Sequence, residues 1–393
     1  MITNVSIKNY KSVVDVSLSL GRFNLLIGAN GCGKSNILEG IAMGAAASAD
    51  KLDYEYFANR GIRVVAPHFM QPAFEGITTN NIIIEVLDEK KNVSAFTLHY
   101  NSESKPAKWE DDSVSFYKFV SLLQKLSTNE NHAKISDLKK VLEEMTKERG
   151  KDFVLNIKFK PNDKGFSIST ANPDLEQFLI YSLEESKLRK ADNSNRTYPI
   201  GLHGEGLFAY LKELSQKTEG KEIFNEIKEN LKVLDWFDDM QVPSGQLSME
   251  FNLKLKDSYL AETLNTFDQR STNEGFLYLL FYLTLVISDE TPKFFAIENI
   301  DTAFNPKLCR EVMKMLIALA QKHDKQIIAT THNPAILDGL DLSDNEQKLM
   351  VVQRSVDGYT KVRTLNNKDI VKNELPLSQL WLRGFIGGLP NNF

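Results

Sequence analysis

The 393-residue sequence has little of what would mark a membrane, secreted or nucleic-acid-coating protein. Its two cysteines, Cys32 and Cys309, cannot build a disulfide framework, and neither stands at metal-ligand spacing from a partner. No stretch approaches the roughly 20 continuous apolar residues of a membrane helix. The opening MITNVSIKNYKS lacks the apolar centre of a secretory leader. Both absences lead us to expect a cytoplasmic chain with no membrane partner. Positive charge is not in excess. A net charge of −5 argues against coating nucleic acid by bulk electrostatics, yet it leaves a local basic stripe, and so DNA as a partner, open. The basic run Lys134 to Lys151 is interleaved with Glu143, Glu144 and Glu148 and reads as a solvated helix face. The heptads of a long coiled coil, internal repeats and low-complexity tracts are missing too.

What is present is an average globular composition, 42% hydrophobic and 25% charged, in a chain long enough for two lobes. Val5 and Ile7, then Val14, Val16, Leu18 and Leu20, alternate with polar residues as half-buried strands do. Phe23 to Ile27 is a short apolar run ending at Gly28, the pattern of a buried parallel strand. Further strands are expected at 82–87 and 93–100, helices over 113–150, 173–190 and 205–233, and hairpins over 153–169 and 247–258. From 273 the grammar returns to α/β: a helix to 288, a strand at 294–297, a helix at 307–323, a strand at 326–330, a helix from Pro334 and a strand at 348–352. The resulting expectation is an α/β fold: a split P-loop core with a mixed α+β insert. Residues 1–100 form lobe I, 101–240 the largely helical insert and 241–393 lobe II.

Gly28-Ala29-Asn30-Gly31-Cys32-Gly33-Lys34-Ser35 has the spacing of a phosphate loop. Glycines permit the backbone conformations that turn successive N–H groups onto an anion. Lys34 is expected on the β/γ-phosphates, and the Ser35 hydroxyl on Mg²⁺. The following helix, with Asn36 in its first turn, points its positive end at the same charge. About 265 residues on, the strand Phe294–Ile297 ends in Glu298-Asn299-Ile300-Asp301. An acid at the end of a strand beside the phosphate-loop strand is placed to hold the metal shell, so Glu298 is the expected metal acid. The next position, where a second acid would activate water, is Asn299, which can orient water but not take its proton. Asp301 is the substitute base; otherwise hydrolysis is slow. His332, in Thr331-His332-Asn333-Pro334 after the next strand, faces the same crevice and can bond the γ-phosphate.

In order and spacing these motifs resemble the ABC-type ATPase heads of the SMC, RecF and OLD group. Ile7-Lys8-Asn9-Tyr10-Lys11-Ser12 followed by FNLLIGANGCGKSN is similar to that group's start. Ala296 to Asp301, continuing through Phe304-Asn305-Pro306, resembles its Walker B and D-loop, and Thr331 to Pro334 its histidine switch. The resemblance implies ATP and Mg²⁺ as cofactors and ATP hydrolysis as the activity. It brings Lys11 to the phosphates and Gln71 to Mg²⁺ or its water, with Arg60 and Arg63 as competing polar contacts. The signature slot holds Ser271-Thr272-Asn273-Glu274-Gly275, where Ser271 or Thr272 is the expected N-cap and Gly275 allows close approach to the phosphate of a partner subunit. A plain capped helix is the competing reading. Asn305 stands where the D-loop often has histidine or aspartate.

Such heads work as ATP-sandwiched dimers, so a homo-dimer or higher oligomer is implied. OLD proteins append a Toprim nuclease, and the 61 residues after His332 are too few for such a domain of roughly 100 residues. Stand-alone ATPases of this kind resemble subunits of PARIS-type and Septu-type anti-phage systems, in which the ATPase controls a separate toxin or nuclease effector. The leading expectation is therefore an ATP-driven switch in a defence complex. A RecF- or SMC-like DNA-repair ATPase and a non-hydrolysing ATP-bound scaffold are the alternatives. The apolar segment Leu380 to Pro390 is either a docking peptide or a tail packed on its own core.

Overall fold

The computed structural model describes residues 1–77, 81–104, 107–111, 172–190, 199–242, 253–261, 266–365 and 375–389. The helices expected over 113–150, the hairpin at 153–169 and the first half of the hairpin at 247–258 lie outside them. The chain divides into two compact units, Met1–Glu110 with Ala171–Phe393, and Asp111–Thr170. Residues 171–240 thus belong with the unit that carries the phosphate loop.

Along the chain run β1 (Ile2–Tyr10), β2 (Val13–Ser19), β3 (Phe23–Ile27), helix α1 (Lys34–Ser48), β4 (Asn81–Asp88), β5 (Val93–Asn101), β6 (Lys108–Asp111) and the two-residue β7 (Ile180–Tyr181). Then come β8 (Phe237–Gln241), β9 (Lys254–Asp257), β10 (Thr266–Asp268), β11 (Phe294–Ile297), β12 (Gln326–Thr330), β13 (Gln347–Arg354) and β14 (Thr360–Leu365). The principal sheet has the order β14-β13-β3-β12-β11-β7. Its strands β13, β3, β12, β11 and β7 are parallel, and β14 closes the edge antiparallel. An antiparallel sheet, β2-β1-β4-β5-β6, forms a second layer, and β10-β9-β8 a small third sheet.

Alternation along the central strands explains the layering, since successive side chains leave opposite faces of a strand. Leu26, Phe294, Ala296, Ile328, Met350 and Val352 enter one core with α1 and the antiparallel sheet. Phe23, Leu25, Ile27, Phe295, Ile297, Ile327 and Val351 enter the other, with the helices Leu207–Gln216, Gly220–Leu231, Glu274–Ile287 and Pro306–Lys322. Both faces of the sheet are covered, which is why β3, β11 and β12 are buried along their whole length and read as mostly apolar runs. Helix α1 is held between the layers, and Gly40 and Gly44 let it approach Ile7 and Ile84.

Residues 377–389 pack on the chain's own core. Leu380, Trp381 and Ile386 are buried, while Leu382 and Phe385 face solvent. The Ser378 hydroxyl donates to the Asp338 carboxylate at 2.7 Å, and Arg363 donates to the Ile386 carbonyl at 2.7 Å.

Candidate functional site

The phosphate loop leaves the carboxyl end of β3. Gly33 has φ of +110°, and a Cβ there would fall 2.0 Å from the Thr360 hydroxyl, so conformation and space both require glycine. The N-terminus of α1 carries no side-chain cap. Among the described residues, the backbone N–H groups of Lys34, Ser35 and Asn36 and the Ser35 hydroxyl have no partner. Asn30 and Gly31 form the exposed tip. The Lys34 ammonium donates to the Gly28 carbonyl at 2.8 Å and the Ala29 carbonyl at 3.1 Å, and lies 3.8 Å from the Cys32 sulfur. Desolvation lowers its pKa, against the opposing pull of Cys32 and Glu298.

The register sets the rest of the site level with this loop. Leu26 pairs with Thr330 and Ile297 with Ala329, so Glu298 and Thr331-His332 emerge along the same carboxyl edge. One expectation needs correcting. β11 does not lie beside β3, because the Pro306–Lys322 helix returns the chain into the gap between them and β12 fills it. Glu298 therefore starts two strand spacings, about 9.5 Å, from β3. Its carboxylate still interacts electrostatically with both Lys34 and Arg63.

The turn after Glu298 is stapled to the end of β12. Asn299 occupies the left-handed region at φ +52°, where asparagine is among the few tolerated side chains, and its N–H donates to the Thr330 hydroxyl at 3.0 Å. The Thr331 hydroxyl donates to Asp301 at 2.6 Å. The Asp301 carboxylate thus already holds a hydrogen bond. His332 has a lowered pKa, first through desolvation and then through the Lys34 charge, with Asp301 acting in the opposite sense.

On the other side of the loop, Lys11 has φ of +48°, and its N–H donates to the carbonyl of Met70, the neighbour of Gln71. Its ammonium is paired with Glu39 and donates to the Arg63 carbonyl at 3.2 Å. Arg63 also pairs with Glu39 and donates to the Asn36 side-chain oxygen at 3.2 Å. The buried Glu39 accepts from Tyr10 as well, at 3.0 Å. Of the two competing arginines, Arg63 is brought to the loop. Arg60 is spent on the carbonyls of Phe178 and Glu176, at 2.9 and 2.7 Å. Sequence reasoning missed Glu39. The only signal was an acid on a helix face otherwise apolar, one turn beyond Ser35.

The signature slot is capped differently from expectation. Asn273, not Ser271 or Thr272, is the N-cap of the Glu274–Ile287 helix, accepting from the Phe276 N–H at 2.8 Å. Ser271 is drawn instead to Asp268, its N–H bonded to the Asp268 carbonyl at 3.1 Å. Arg189 grips the carbonyls of Gln269, Arg270 and Thr272 at 3.0–3.2 Å, which fixes the approach to the helix. A Cβ on Gly275 would lie 3.0 Å from the Ala303 carbonyl, so this glycine admits the turn after Glu298. Asn305 caps the next helix through the Leu308 N–H at 3.0 Å, which accounts for asparagine there. Asn273, Gly275, Ala303, Asn305, Lys307 and Trp236 line an open cleft of about 360 Å³. Among the described residues no hydrogen bond joins Ser271–Gly275 to the phosphate loop.

In fold, the chain is similar to "the SmcHead bound to the C-winged helix domain of ScpA", with a TM-score of 0.52 and 15% identity over 94% of this chain and 99% of that one. An SMC head domain from Thermotoga maritima aligns with a TM-score of 0.47, 12% identity and coverage of 93% and 99%. An Smc head domain with an extended coiled coil, bound to the C-terminal domain of ScpA and derived from Pyrococcus furiosus, aligns at 0.49, 12% identity and coverage of 94% and 98%. The fold comparison rests on the first of these. No curated protein matches the sequence. Residues 23–338 match the AAA_21 family, described as "AAA domain, putative AbiEii toxin, Type IV TA system". The fold is thus similar to that of an SMC head, and the chain belongs to this AAA-domain family.

Proposed function

We propose that this chain is an ATP-dependent switch subunit of a bacterial anti-phage defence complex, in which ATP pairs two heads and their pairing controls a separate toxin or nuclease effector. The observation that carries the ATP reading is the alignment of the phosphate loop, Glu298 and His332 along one carboxyl edge of a single sheet. The defence reading draws support from the family description, which names a toxin–antitoxin system. A separate docking partner is supported by the SMC head in the fold comparison, whose own partner is the ScpA winged-helix domain.

The residues fit a triphosphate. The unpartnered amides at the start of α1 would receive phosphate oxygens, with Gly28, Asn30, Gly31 and Gly33 shaping the backbone around them. Lys34 would turn from the loop's own carbonyls to the phosphates. They fit Mg²⁺ as well. Among the described residues no cluster of three or more histidine, cysteine or acidic side chains could cage a metal. Mg²⁺ is commonly held by one or two protein oxygens plus phosphate and water, a role for Ser35, Glu298 and Gln71. When bound, the ion would neutralise phosphate charge. Lys11 and Arg63 would add positive charge beside Asn36. His332, kept neutral, would hydrogen-bond the γ-phosphate, and Asn299 would orient water. Ser271, Asn273 and Gly275, at a helix start facing an open cleft, would receive the γ-phosphate of the second copy.

One observation favours a second reading, a non-hydrolysing scaffold with ATP as a structural ligand: Asn299 cannot take a proton, and Asp301 is already bonded by Thr331. Steady-state phosphate release separates the two, with Lys34→Ala as the binding-dead control. Turnover of wild type above the control supports the switch; equal rates leave the scaffold. Purification from the native host with untagged neighbours tests the defence role. Recovery with DNA-repair factors and no toxin or nuclease partner would replace it with the RecF- or SMC-like reading.

A further inference from the structure

The outer side of the phosphate loop is held by the hairpin β13–β14, more than 320 residues downstream. The Arg354 Nε–H donates to the Gly31 carbonyl at 2.9 Å, and the Thr360 hydroxyl donates to the Cys32 carbonyl at 2.9 Å. In a trans peptide the carbonyl of one residue and the N–H of the next point in opposite directions across one rigid plane. Tying down these two carbonyls therefore turns the N–H groups that follow them away from the hairpin: that of Cys32 donates to the Ala29 carbonyl at 3.4 Å, and that of Gly33 is left for an anion nest.

The polarity of the hydrogen bonds is determined. Thr360 spends its only proton on Cys32, so the proton it shares with Ser12, 2.7 Å away, belongs to Ser12. Ser12 in turn accepts from the Asn36 amide at 2.7 Å. A one-way relay thus runs Asn36 to Ser12 to Thr360 to Cys32, with both hydroxyl residues buried. It joins the first turn of α1 to the middle of the loop through β14. The hairpin is itself braced. Arg354 also bonds the Gly358 carbonyl, and the Tyr359 ring meets Phe74 edge-on at 4.8 Å, on the segment that follows Gln71.

We propose that Arg354 and Thr360 are positioning residues for nucleotide binding: they orient the amides of the phosphate loop without touching the nucleotide. The proposal rests on the ATP reading above for its binding readout. Titration of the full chain with a fluorescent ATP analogue tests it. Thr360→Val keeps the shape and removes the donor; Arg354→Met keeps an unbranched apolar stem and removes the guanidinium. Each is expected to weaken binding about 3- to 10-fold, the equivalent of one lost hydrogen bond. Thr360→Ser, which restores the hydroxyl, is expected to bind within about 2-fold of wild type. Hydrogen exchange of the peptide covering 28–36, measured without nucleotide, should accelerate in Thr360→Val and Arg354→Met but not in Thr360→Ser. Thr360→Val that melts earlier while keeping wild-type affinity and loop exchange overturns the proposal, as does a serine variant that behaves like valine. If wild type binds no ATP, the ATP reading fails, and loop exchange alone decides whether the hairpin positions the loop.

Discussion

Glu39→Gln offers the sharpest test of the charge cluster behind the phosphate loop. Glu39 is 2% exposed and accepts from Tyr10, Lys11 and Arg63, including the Arg63 backbone N–H at 3.4 Å. Glutamine keeps one acceptor oxygen but turns an NH₂ group toward donors, so at least one donor faces another. The Lys11 side chain is 13% exposed, and breaking a buried pair of this kind costs about 3–5 kcal/mol because the remaining charge stays buried. Arg63 is 64% exposed, so water screens its share to about 0–1 kcal/mol. The sum, about 4 kcal/mol, is a large part of the roughly 5–15 kcal/mol that keeps such domains folded. Urea unfolding of wild type and variant, compared at equal slope, measures it. A loss below about 1 kcal/mol would show that the cluster is solvated and would refute the buried-pair reasoning.

Three further outcomes are expected. Gly33→Ala combines a backbone at φ +110° with a Cβ 2.0 Å from Thr360, so it should abolish nucleotide binding and lower the melting temperature; binding near wild type would contradict the packing of β14 on the loop. Asn299→Glu costs about 1 kcal/mol for a non-glycine, non-asparagine residue at positive φ. It also supplies the missing base and should raise phosphate release by about 10-fold or more, unless water is activated elsewhere. His332 should titrate below its ordinary value of about 6.5 in an NMR pH series, and Lys34→Ala should raise it only part of the way, because desolvation is the larger cause. The sign follows from the depressed folded value. As pH falls through about 6.5, the unfolded chain takes up a proton that the folded chain still refuses. Stability therefore drops until the lower folded value is reached, and His332→Gln should remove that slope.

The nucleotide edge was legible because it is written locally. β3, β11 and β12 are runs of four or five buried residues, and each is followed at once by its polar group. Strand order was not legible, since nothing in Phe294–Ile297 or Gln326–Thr330 says which of the two pairs with β3; that is decided by the path of the intervening helix. β14 went unseen because its exposed and half-buried positions, Lys361 and Arg363 among them, hide the alternation of an edge strand. Ser271 and Thr272 outranked Asn273 only by their place in the resemblance. The extended backbone of Asn273, φ −73° and ψ 156°, is what a capping residue needs. The two-residue β7 carries no periodicity at all.

The strand order has a consequence for how the chain is made. β3 is synthesised early, yet both its neighbours, β12 and β13, arrive some 300 residues later. The antiparallel pairs β1–β2, β1–β4 and β4–β5 can form while the nascent chain is still short, giving α1 a surface to rest on. β3 itself waits with both edges unpaired, an aggregation hazard during translation. A polypeptide halted before Gln326 would carry the entire phosphate loop and still hold none of Thr331, His332, Arg354 or Thr360. Ribosome-bound chains of increasing length should accordingly gain nucleotide binding in one step, only after β14 has emerged.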